Sequence, residues 1–156
     1  AKTLVAMTAL VRAIDERSVH RRYMALCHGE LAERAFSIDA PIGRHPAHDY
    51  KFAVMESGKP AVTHYELLEA FRHASLLEVN LETGRTHQIR VHMAAIKHPC
   101  VGDPLYGADP VLAARLGLER QWLHAMELGF EHPGSGEWVT FESTYPADLS
   151  AALNRL

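Results

Sequence analysis

The chain holds only two cysteines, Cys27 and Cys100, far apart in the sequence. Two thiols are too few for a disulfide framework or a thiolate zinc site, and they are expected to be reduced and buried. No apolar run approaches the ~20 residues that a helical bilayer span needs. The N-terminus does not join a basic segment, an apolar segment and a small-residue cleavage site, so no export signal is read there and a cytoplasmic setting is expected. Positive charge is not in excess either: 16 Lys and Arg face 19 Asp and Glu, a net charge of −3 with neutral histidines. A non-specific nucleic-acid binder would usually be basic, so any anion site has to be local. Repeats and low-complexity segments are absent, and so is an initiating methionine. The chain opens "AKTLVAMTAL" with an amphipathic pattern already under way, and the protein is expected to extend upstream.

With 47% hydrophobic and 22% charged residues, the 156 positions suit one globular domain with a real core. Eleven histidines draw attention to metals. His87 and His92, however, are five apart rather than the four that place two ligands on one helix face, and no carboxylate or thiolate cluster accompanies them. No metal site is expected.

Leu4, Met7, Val11 and Ile14 recur at helical spacing and predict a helix over about 3–17. "RRYMALCHGE" alternates and predicts a strand buried on both faces, followed by a short strand at 35–38. The stretch "APIGRHPAHDYKFAVMESGKPA" reads as a surface excursion with one short strand near 52–55. Residues 62–71 and 75–81 predict a hairpin with its turn near 72–74. "THQIRVHMAAIK" has helical spacing, with Ile89, Met93 and Ile96 inward and Thr86 as the N-cap. A short helix in "VLAARLGLE", two strands in "WLHAMELGFEH" and "EWVTFES", and a helix beginning at Pro146 complete the chain. The expected fold is α+β, a mixed and largely antiparallel sheet flanked by helices.

The most informative stretch is 81–92, "LETGRTHQIRVH", which sets Arg85, His87, Arg90 and His92 around a Thr-Gly turn. If Gly84 makes a tight turn and Thr86 starts a helix, free backbone N–H groups and Arg85 face one space, which suits an anion. Arg90, four residues after Thr86, could reach back toward the strand ends, and its planar fork suits a carboxylate or phosphate. An ordinary salt bridge on a solvated helix face fits the same residues.

The string "LETGRTHQIRVHMAAIKHPCVGDPLYG", together with "RRYMALCHG", "GKPAVTHYELLE" and "LHAMELGFEHP" in the same order, resembles the RluA class of RNA pseudouridine synthases, the ribosomal members above all. The likeness covers essentially the whole chain and fits loosely only around 45–55 and after 109. It implies a pseudouridine synthase-like catalytic core that converts specific uridines to pseudouridine in structured RNA, ribosomal RNA foremost and transfer RNA second, without a cofactor. In such enzymes the N1–C1′ bond breaks, the uracil turns and rejoins through C5.

By that resemblance, Tyr23 lies against the target uracil and helps to remove the C5 proton, and Arg90 partners the catalytic carboxylate. Arg85, His87 and Lys59 are then expected at RNA, Leu123 as an apolar wall under the base, and Asp103 as a loop organiser beside Tyr106. A core tyrosine and a core leucine remain the plain readings of Tyr23 and Leu123. The family's catalytic aspartate belongs to an "R-L-D" motif, which these residues do not contain. None of Asp15, Asp39, Asp49, Asp103, Asp109 and Asp148 stands in matching context. The chain is therefore expected to be the C-terminal part of a catalytic domain, incomplete at its N-terminus and partnered by the rest of that domain. The alternative is a non-catalytic RNA-binding remnant.

Overall fold

The computed structural model describes residues 1–156. In chain order the elements are α1 (Leu4–Asp15), β1 (His20–His28), β2 (Ala35–Asp39), β3 (Ile42–His45), β4 (His48–Val54), β5 (Val62–Ala70), β6 (Ala74–Leu81), α2 (Gln88–Ala95), α3 (Pro110–Leu116), β7 (Leu123–Glu131), β8 (Trp138–Glu142) and α4 (Ala147–Leu153). Six strands form one sheet in the order β2-β5-β6-β1-β7-β8, and each neighbouring pair is antiparallel. The expected α+β fold, with an antiparallel sheet flanked by helices, is present.

The sheet has a core on each face, which explains the unbroken apolar run in β1. Met24, Leu26, Leu76 and the fully buried Trp122 pack under α3 and α4 through Leu112, Leu116 and Leu149. The Trp122 indole donates to the Leu149 carbonyl at 2.9 Å, which satisfies its one polar atom in the core. On the other face Ala25, Cys27, Leu77 and Val79 pack under α2 through Ile89 and Met93. Alternate residues of one strand thus serve two cores.

Helix α1 forms as its spacing predicts, with the Thr3 hydroxyl accepting from the Ala6 N–H. It buries none of its residues, and Leu4, Val5, Met7 and Val11 stay exposed. No helix is long and apolar enough to cross a membrane. The excursion at 41–60 differs from the single short strand expected there: it is a two-stranded hairpin, β3 with β4. Its strands are rich in His, Asp, Tyr and Lys, so their period-2 pattern carries no apolar signal. Arg44 helps to hold it, donating to the Asp49 carbonyl at 2.9 Å and lying over the Phe52 ring.

Cys27 and Cys100 face each other across an antiparallel bridge flanked by the His28 N–H to Pro99 bond and the Val101 N–H to Leu26 bond. Both are fully buried, and the hydrogen bond with Cys100 together with burial pushes the Cys27 thiol well up. Neither thiol should react with a thiol-specific reagent in the native protein, and both should react after denaturation. Rapid labelling of the native protein would contradict this packing.

Candidate active site

The turn between β6 and α2 is built on Gln88. Its side-chain oxygen accepts from the Thr83 hydroxyl at 2.8 Å and from the Arg85 N–H at 3.0 Å. Its side-chain nitrogen donates to the Val62 carbonyl and to the Thr63 hydroxyl, both at 3.0 Å. All the bonding capacity of one buried amide is used. The Thr63 hydroxyl in turn meets His92 Nδ1 at 2.8 Å, while His92 Nε2 reaches the Ala40 carbonyl at 2.9 Å. Burial pushes the His92 imidazole down, which suits a neutral ring donating through Nε2.

This network corrects the expectation that Thr86 caps the helix. Thr86 is exposed, and the helix begins after His87, which is in the left-handed region (φ 54°) and makes no side-chain cap. The bonds from Gln88 to Thr83 and Arg85 hold residues 83–87 away from helical geometry.

One turn along α2, Arg90 donates from Nε and Nη2 to the two oxygens of Asp103 at 2.7 and 2.8 Å. Its guanidinium therefore turns to the loop after α2 rather than back to the strand ends. Asp103 also accepts from the N–H groups of Leu105 and Tyr106, so it organises its loop as expected. Burial pushes the Asp103 carboxyl up, but the Arg90 fork and those N–H groups outweigh it and hold the carboxyl below the usual range. Arg90 Nη1 makes no hydrogen bond.

The Tyr106 ring lies under Arg90, 4.9 Å from the guanidinium carbon to the ring centroid. Its hydroxyl accepts from the Phe52 N–H and meets His87 Nδ1 at 2.8 Å, tying the hairpin to α2. Burial, and then Arg90, push the His87 imidazole down, so the ring is neutral at pH 7. Beyond this tie a cavity of about 520 Å³ is lined by Arg44, Phe52, Lys59, Gly84 and Arg85. Arg85 donates from Nε to the Pro60 carbonyl, and Lys59 is exposed beside it.

Tyr23 is on the α2 side of the sheet, half-buried against the cluster that contains Ile89 and Met93. Its register partner on β7 is Ala125, which is small and exposed, and the ladder is irregular between Arg22 and Tyr23. Bulges of this kind re-aim side chains next to active sites. Leu123, opposite Ala25, packs on the same cluster one pleat away. The Tyr23 hydroxyl makes no hydrogen bond within the chain and is not enclosed.

Residues 1–95 match the family described as RNA pseudouridylate synthase. The chain belongs to this family. It is 58% identical to an uncharacterised RNA pseudouridine synthase of Mycobacterium bovis over 97% of this chain and 49% of that protein. Against the ribosomal large subunit pseudouridine synthase D of Nitrosomonas europaea the identity is 49%, over 100% of this chain and 46% of the other. The solved structure of human RNA pseudouridylate synthase domain containing 1 matches with a TM-score of 0.78 at 32% identity, covering 97% of this chain and 66% of that one. The chain spans about half the length of the curated relatives it matches.

In this member of the family, the structure brings Arg85 and Lys59 to one cavity and Tyr23 and Leu123 to one sheet face. Tyr23 and Arg90 make no hydrogen bond with each other, and His87 is held between Phe52 and Tyr106. Gln88 and the pairing of Asp103 with Arg90 escaped the sequence reading. A buried amide looks like any surface glutamine until its partners are known, and Asp103 lies thirteen residues from Arg90.

Replacing Gln88 with leucine would leave the Thr83 hydroxyl proton and the Arg85 N–H without an acceptor, while the Val62 carbonyl keeps the Glu82 N–H. It should cost about 3 kcal/mol in urea denaturation, since each unsatisfied buried group costs ~1–3 kcal/mol. A loss under about 1 kcal/mol would show that the network contributes little.

Proposed function

We propose that the protein isomerises specific uridines to pseudouridine in structured RNA, and that this chain supplies the Tyr23 and Arg90 side of the catalytic site. The relatives named for the large ribosomal subunit make large-subunit ribosomal RNA the favoured substrate class and the cytoplasm the favoured setting. The observation that carries this reading is the buried Arg90–Asp103 pair on Tyr106, which presents a rigidly held guanidinium with Nη1 uncommitted.

Uridine in folded RNA has to leave its stack, at a cost of a few kcal/mol, before a protein can act on it. The flipped uracil then lies against the Tyr23 ring, with Leu123 as the apolar wall and the open ground over Ala125 admitting it. A carboxylate acts at C1′ as the N1–C1′ bond breaks. The base turns, C5 bonds to C1′, the C5 proton leaves toward the Tyr23 hydroxyl and N1 gains a proton, so the reaction is an isomerisation. Arg90 Nη1 meets that carboxylate and lowers its pKa so that it stays ionised away from water.

Asp103 is a poor choice for the nucleophile. It is 2% exposed, and its oxygens are already taken by Arg90, Leu105 and Tyr106. The carboxylate comes instead from the rest of the catalytic domain, the chain's obligate partner, in the part of the relatives' length that these residues do not span. Arg85 and Lys59 meet the RNA backbone, and the neutral His87 shapes the pocket.

In the full-length protein, Arg90→Ala should lower tritium release from RNA carrying 5-tritiated uridine by roughly 100-fold or more, with RNA affinity nearly unchanged. Arg85→Ala should mainly weaken RNA binding. Equal losses of affinity for the two variants would overturn this division of labour, and a wild-type protein that binds RNA without releasing tritium would favour the non-catalytic RNA-binding remnant.

A further inference from the structure

Five of the twelve arginines are matched by carboxylates, the exposed Arg12 by Glu16 among them. Arg17 meets Glu82, Arg22 lies between Glu78 and Glu127, Arg90 holds Asp103, and Arg120 holds Asp148. Arg21 has no such partner. It is half-buried, its Nε is enclosed without a hydrogen bond, and its single bond runs from Nη2 to the Glu82 carbonyl at a long 3.4 Å. The Glu82 carboxylate does not serve it, being held by Arg17 at 2.6 Å and His64 at 2.7 Å. Burial pushes the Arg21 guanidinium down, and no carboxylate offsets that. A half-buried cation left in this state calls for an anion that arrives from elsewhere.

Its position says which anion. Arg21 precedes Tyr23 by two residues on β1, so both side chains leave the same face of the sheet about 7 Å apart. If a uracil lies on Tyr23, the phosphate attached to its own or the next sugar falls within reach of Arg21. Gly84 lies directly beneath the guanidinium, and a side chain there would strike Nη1. The same glycine lines the cavity that holds Arg44, Lys59 and Arg85. One bare backbone position thus separates Arg21 from three further cations, and a polyanion can cross it closely.

We propose that Arg21 binds a phosphate of the RNA strand that carries the flipped uridine, with that strand crossing Gly84 toward Arg85, Lys59 and Arg44. This rests on the RNA reading given above for Tyr23 and Arg85. The guanidinium is held ready over Gly84 and gains its counter-ion only when RNA is bound.

The test is equilibrium binding of the full-length protein to a large-subunit ribosomal RNA transcript across a salt series. Arg21→Met should weaken binding about tenfold at fixed salt and reduce the slope of log affinity against log salt by about 0.7–0.9, the signature of one lost phosphate contact. Arg21→Lys, which keeps the charge, should retain the slope. Gly84→Ala, which displaces the guanidinium without removing it, should weaken binding in the same direction. If Arg85→Ala weakens binding while Arg21→Met changes neither affinity nor slope, the Arg21 proposal is overturned. If neither variant affects binding, the RNA reading of the whole edge fails.

Discussion

The side-chain amide of Gln88 is the point on which the rest of the site depends. Helix α2 has eight residues, no side-chain cap and no acidic residue in its first turn. A helix so short is marginal by itself and takes its place from tertiary contacts. Gln88 supplies them at the first helical position, binding the turn before it through Thr83 and Arg85 and the strand beside it through Val62 and Thr63. His92, one turn on, repeats the attachment through Thr63 and Ala40. The two attachments fix both the position and the rotation of α2, and so the direction in which Arg90 leaves it.

Electrostatics then does local work in a chain that is acidic as a whole. The Arg90–Asp103 pair is buried, and buried pairs often add little net stability because both charges lose their hydration. Its value is positional: a fork held through two parallel bonds and stacked on Tyr106 has little freedom, and its remaining edge is aimed before any substrate arrives. Tyr106 carries that order to the hairpin through Phe52 and His87. The cations at 44, 59 and 85 stand on the far side of this tie, so the cavity they line and the Arg90 guanidinium are separate but mechanically joined.

Much of this was legible in the sequence because burial leaves a periodic mark. The alternation in β1, the β5–β6 hairpin and the spacing of Ile89 and Met93 each reflect an apolar side chain meeting one of the two cores. The β3–β4 hairpin was less legible because it lies outside those cores and its strands are polar. The expected helix start is one residue early because Thr86 has the composition of a cap, whereas what decides the turn is an amide that bonds to residues up to 26 positions away. Arg90 was readable as a carboxylate partner, but not that Asp103 already fills half of its fork.

Under the proposed function the site is a composite of this chain and a carboxylate from the rest of the catalytic domain. Its most direct test is tritium release from RNA carrying 5-tritiated uridine, with the 156-residue chain run beside a longer form of the protein that includes the family's aspartate motif. Release by the longer form alone is the predicted result. Release by the 156-residue chain alone would contradict it and place the nucleophile among the aspartates already in this structure.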